Sequence, residues 1–130
     1  MVNSKQLVGW AILIGATSLP AYHLLAQGVP FAKIEVDSTL LAPGLYLLKG
    51  SPNVDPVHKD AAGGAIGLLV GPEGVLMVDA QYAPITDKVL GAVHKLTPQP
   101  IRFLVNTHVH LDHTGGDAAI VKSGALLLAC

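Results

Sequence analysis

Residues 107–117 read THVHLDHTGGD, with three histidines and one aspartate inside six positions and two glycines close behind. His108 and His110 are two apart, so an extended or turning backbone aims both imidazoles the same way. Asp112 continues that alternation, whereas His113 follows at once and is expected to aim elsewhere. Three imidazoles and a carboxylate are nitrogen and oxygen donors suited to zinc. One tetrahedral ion does not easily take four donors from adjacent positions. The spacing therefore favours two ions, with His108 and His110 on one and Asp112 and His113 on the other. Gly115 and Gly116 let the chain turn tightly into a following helix, whose N-terminal amides carry partial positive charge towards the site. The competing reading is a histidine-rich surface loop that holds no metal.

Outward from this loop, strands and helices alternate. Residues 101–105 (IRFLV) read as a strand, which places the loop just past a carboxyl end, where α/β folds put their chemistry. Within residues 84–96, Ile85, Val89, Ala92, Val93 and Leu96 share one helical face. Pro84 suits its first turn, and Pro98 and Pro100 stop it. Residues 65–70 (AIGLLV) and 75–78 (VLMV) flank Gly71-Pro72-Glu73-Gly74, which predicts an antiparallel pair joined by a tight turn. Residues 35–41 and 44–48, parted by Pro43-Gly44, predict a hairpin. Downstream, residues 117–122 read as a short helix and 125–129 (ALLLA) as a buried strand, with residues 126–128 in the core.

Composition narrows the function classes. The chain has 130 residues, 51% hydrophobic and only 13% charged, which is incompatible with overall disorder. A net charge of −1 gives no basic field for a nucleic-acid backbone. The single cysteine, Cys130, excludes an internal disulfide framework. Residues 6–32 carry no Asp, Glu, Lys or Arg, and the run 7–16 (LVGWAILIGA) has the length of a signal-peptide core. We expect residues 1–26 to be an export signal cleaved near Ala26, or else a membrane anchor over residues 7–26. Residues 27–130 would then be a domain facing the periplasm or exterior.

The pattern His-x-His-x-Asp-His followed by Gly-Gly, after an apolar strand and Asn106-Thr107, resembles the metallo-β-lactamase-fold metallohydrolases. The resemblance runs from about Gly44 to Cys130 and is specific to the superfamily, not to a substrate. It implies an αββα sandwich, with His108 and His110 as ligands of a first Zn2+ and Asp112 and His113 of a second. Asp112 would also be catalytic, orienting a metal-held hydroxide that attacks an ester, thioester or lactam carbonyl of a small-molecule substrate. Asp79 falls where the family carries an aspartate beneath the metal loop, holding ligands or loop backbone in place. Its alternative role is that of a strand-end turn residue bonding its own backbone. Iron or manganese would also accept these donors.

The family completes its site with a histidine, a bridging aspartate and a last histidine well downstream of the loop. No histidine follows His113 here, and the second sheet of the sandwich is absent as well. The chain therefore reads as the N-terminal half of a hydrolase. The alternative is an inactive truncated fragment with weak or no metal binding. His94 lies off the apolar helical stripe and is expected in solvent. His58, in the polar stretch 52–60, is read as part of a loop near the site mouth, and Gly63-Gly64 as a turn leading into a strand.

Overall fold

The computed structural model describes residues 29–51 and 63–129. Residues 1–26, His58 and Cys130, on which several expectations rest, lie outside the described residues. Among the described residues, one six-stranded sheet runs in the order β1-β2-β3-β4-β5-β6. The strands are β1 Val36–Ala42, β2 Leu45–Gly50, β3 Ile66–Gly71, β4 Gly74–Val78, β5 Ile101–Val105 and β6 Leu126–Leu128. The first three pairings are antiparallel, and β4–β5 and β5–β6 are parallel. Both predicted hairpins form, and Gly71 pairs with Gly74 around Pro72-Glu73.

Parallel pairing requires crossovers, and helices supply them. Helix α1, Thr86–Leu96, links β4 to β5. Pro84 tightens its approach into a 3-10 turn, Ala83–Ile85, so the α-helix starts two residues later than the periodicity predicts. Val89, Ala92 and Val93 of α1 are buried, and His94 is exposed as expected. The link from β5 to β6 carries two short helices, α2 Leu111–Thr114 and α3 Asp117–Lys122.

Alternation along the strands sends one set of side chains to the helices and the other to the open side. Leu48, Ile66, Leu68, Met77 and Leu104 are fully buried and form one core with Ile85, Val89 and Ile120. The opposite set includes Leu69, Phe103, Leu126 and Leu128, exposed by 52%, 43%, 58% and 48%. The expectation that residues 126–128 are core is therefore corrected. Only Leu127 packs inward, because among the described residues β6 is an edge strand covered on one face alone. One helix layer on one sheet is half of an αββα sandwich. Among the described residues, no helix is long and apolar enough to cross a membrane.

Candidate metal centre

The metal loop leaves β5 at Asn106, whose backbone N–H donates to Leu128 O of the neighbouring strand. Residues 106–116 are not a loop throughout, because α2 forms one helical turn inside them. His110 is extended, with φ −66° and ψ 145°, and its carbonyl accepts the N–H groups of His113 and Thr114 at 2.9 and 3.0 Å. The alternation that starts at His108 therefore ends at His110. The helical turn brings His113 back instead of aiming it away. Its ring stands 4.0 Å from that of His108, and the His108 and His110 rings are 4.7 Å apart, centroid to centroid.

Asp79 lies under this cluster, 4% exposed, immediately after β4. Its carboxylate reaches across the sheet, not to its own backbone. Oδ1 accepts the Thr107 backbone N–H at 2.8 Å, and Oδ2 accepts Nδ1–H of His113 at 2.8 Å. The Thr107 hydroxyl sits 3.0 and 2.8 Å from the two carboxylate oxygens. Burial pushes the Asp79 carboxyl up, but it ends below its ordinary 3.8. The Thr107 N–H, the bonds from His113 and the Thr107 hydroxyl, and the nearby histidine charge outweigh burial.

These bonds assign the ring protons. An ionised carboxylate only accepts, so His113 carries hydrogen on Nδ1 and turns Nε2 towards Asp112. The Thr107 hydroxyl gives its one proton to Asp79, so at His108 Nδ1, 3.0 Å away, it accepts. His108 thereby also presents Nε2. A carboxylate that binds the far nitrogen of an imidazole is the usual support of a metal-binding histidine.

The donor set fits a divalent cation. Nε2 of His113 and Oδ2 of Asp112 face each other at 3.3 Å. At that distance a proton on Nε2 or a cation can bridge the pair. Gly64 leaves room on the same side, since a Cβ there would lie 2.5 Å from His113 Cε1 and 2.7 Å from Nε2. Among the described residues, no three His, Cys, Asp or Glu side chains already close on one point. An ion held by these donors would need the rest of its coordination shell from elsewhere.

Three supporting residues escaped the sequence reading. Thr107 reads in the sequence only as part of the loop and Gly64 only as a turn, and Gln81 has no sequence signal. Asp79 and Gln81 both adopt left-handed backbone, with φ of 64° and 63°. The residues they form with Ala80 clasp the loop, as Ala80 N–H donates to His113 O and Gly116 N–H to Gln81 O.

Comparison with known proteins agrees with this architecture. None of the curated proteins matches the chain by sequence. Among solved structures, the metallo-β-lactamase FIM-1 from Pseudomonas aeruginosa, in its mono-zinc form, aligns at TM-score 0.60 and 23% identity. The alignment covers 74% of this chain and 42% of that one. A metallo-β-lactamase from Cronobacter sakazakii aligns at 0.58 and 25%, covering 72% and 33%. FEZ-1 from Legionella gormanii aligns at 0.57 and 19%, covering 72% and 32%. The chain thus spans less than half the length of these structures, and the likeness bears on fold. The family model of the metallo-beta-lactamase superfamily matches residues 60–127, more than half of the chain and the whole metal loop. By that match and by its fold, the chain belongs to the metallo-beta-lactamase superfamily, a family of hydrolases.

Proposed function

We propose that this chain is the N-terminal part of an exported, zinc-dependent hydrolase acting on an ester, thioester or lactam. His108 and His110 would hold a first ion, and Asp112 and His113 a second. The observation that carries this reading is the Asp79–His113 bond, which turns Nε2 of His113 towards Asp112 Oδ2 at 3.3 Å. When bound, a divalent ion supplies a Lewis acid that polarises a carbonyl and makes water acidic enough to attack at neutral pH.

The chain's own residues prepare that chemistry. Asp79 and Thr107 each engage Nδ1 of an imidazole, which leaves Nε2 as the nitrogen that would bind a metal. Asp112, half-buried beside His113, would orient attacking water through its carboxylate. Export rests on the uncharged, apolar stretch after Lys5. The second reading, a fragment that binds metal weakly and turns nothing over, is favoured by the lack of three convergent donors among the described residues.

The test is metal content and hydrolysis measured side by side. A polypeptide carrying this chain with its downstream ligands should hold about two zinc ions and lose both metal and activity in His110→Ala. The 130-residue chain itself should bind Zn2+ only in part and hydrolyse none of the three ester, thioester and lactam probes. No zinc in the longer polypeptide at neutral pH would overturn the metallohydrolase reading. Steady turnover by the short chain would overturn the division of the site.

A further inference from the structure

Gln81 is 1% exposed and holds a backbone φ of 63°, which side-chain-bearing residues rarely adopt. A glycine would take this conformation freely, so the strain accompanies something that the glutamine side chain supplies. Its amide nitrogen donates to Gly64 O, and its Oε1 accepts Tyr82 N–H at 3.3 Å. The other side of the same Gly64 residue meets the metal loop. Gly64 N–H donates to Asp112 O at 3.3 Å, and the His113 ring packs over its Cα, where no Cβ would fit. The backbone carbonyl of Gln81 meanwhile accepts Gly116 N–H at 3.0 Å, at the far end of that loop. One buried residue thus touches the loop at its exit directly and at Asp112 and His113 through one glycine.

We propose that Gln81 is a positioning residue of the metal centre. Its amide fixes how closely the backbone at Gly64 approaches the loop, and so fixes the plane of the His113 imidazole and the Asp112 peptide. The inference rests on the metal-centre reading. It adds that donor orientation is set from the β3 side of the site as well as by Asp79. Neither half of the clamp is expendable, because Gly64 has contacts on both faces and Gln81 is the group that draws it in.

Two variants of the full chain test this, with Co2+ as the probe metal. Gln81→Gly removes the amide while relieving the left-handed strain, and Gln81→Met keeps the volume without the donor. Both should weaken Co2+ binding about tenfold and alter the visible Co2+ spectrum. Gln81→Gly should also melt within a few degrees of the parent, and the Gly64 amide should exchange faster in both variants. His113→Ala serves as the reference. If it leaves Co2+ affinity unchanged, the metal-centre reading fails. If it weakens binding while both Gln81 variants keep the parent's affinity and spectrum, the positioning role fails and the metal centre stands. An unchanged spectrum with a much lower melting temperature in both variants would reduce Gln81 to a structural residue and overturn the proposal.

Discussion

Asp79 and His113 are 34 positions apart in the chain, yet the Asp79 carboxylate accepts Nδ1–H of His113 at 2.8 Å from beneath the metal loop. The end of a central strand thereby sets the orientation of a ring on the loop that follows the next strand. Asp79→Asn keeps an acceptor but loses the charge and one acceptor site. We expect it to weaken Zn2+ or Co2+ binding by about 10–100-fold while leaving a folded protein. Asp79→Ala also leaves the Thr107 N–H without its partner and should cost about 1–3 kcal/mol of stability. A metal titration and a denaturant melt of both variants check this. Parent-like affinity in Asp79→Asn would show that the bond does not prepare His113.

Gly64 is the close-approach point on the opposite side. In Gly64→Ala the new methyl would lie 2.5 Å from His113 Cε1 and 2.9 Å from Asp112 O. The backbone oxygen cannot swing aside as a side-chain end can, so the loop must shift. The expected results are a stability loss of about 1–3 kcal/mol and a displaced imidazole. Ring resonances of His113 report the displacement directly. If they stay at parent values, the strand and loop are looser than these distances state.

The alternation of apolar runs and the turn residues at Pro43-Gly44 and Gly71–Gly74 were enough to give the order of the strands along the chain, pair the two hairpins and place the loop. That order is a local property of the chain. The path of the loop was less legible, because period-2 reasoning assumes an extended chain and α2 curls it after His110. The helical turn is a tertiary outcome, since the carbonyl of His113 is drawn to Ala80 N–H, a residue on another strand's end. Gln81 carried no signal at all. Its meaning lies in a left-handed backbone and a contact to Gly64, 17 positions away, neither of which has a local pattern. Residues 126–128 misled for the opposite reason. Three leucines look like core whether one face of the sheet is covered or two.

Asp117, the first residue of α3, gives a pH-dependent prediction. Burial raises its carboxyl above the ordinary 3.8, and the nearby Asp79 charge adds to this against the pull of the Asn106 side chain. Asn106 Nδ2 donates to Asp117 Oδ2 at 2.7 Å, while Asp117 Oδ1 and Asn106 Oδ1 are buried without a hydrogen bond. The folded state therefore binds this proton more tightly than the unfolded state. Stability from this group is fullest below 3.8 and declines as pH rises from there through the higher folded value. Asp117→Asn removes that decline, so it should melt higher than the parent at pH 7, with the gap narrowing below pH 4. Melting curves at the two pH values decide it. A gap that does not change with pH would exclude the carboxylate charge as its cause.

Leu104 and Phe103 are neighbours on β5 that face opposite ways, and their substitutions should differ sharply. Leu104 is fully buried between the sheet and the helices. Phe103 is 43% exposed and belongs to a row in which Leu45, Leu69, Leu76, Phe103 and Leu126 pair in turn across five strands. Leu104→Ala opens a cavity in the core and should cost about 3 kcal/mol. Phe103→Ser removes a side chain packed only within the sheet surface and should cost about 1 kcal/mol or less. Because both lie on one strand, differences in backbone propensity largely drop out, and the comparison reads face coverage. Denaturant melts of the two variants provide the numbers. Equal losses would mean that the row carrying Phe103 is packed as tightly as the core, and the one-sided layering of this sheet would have to be withdrawn.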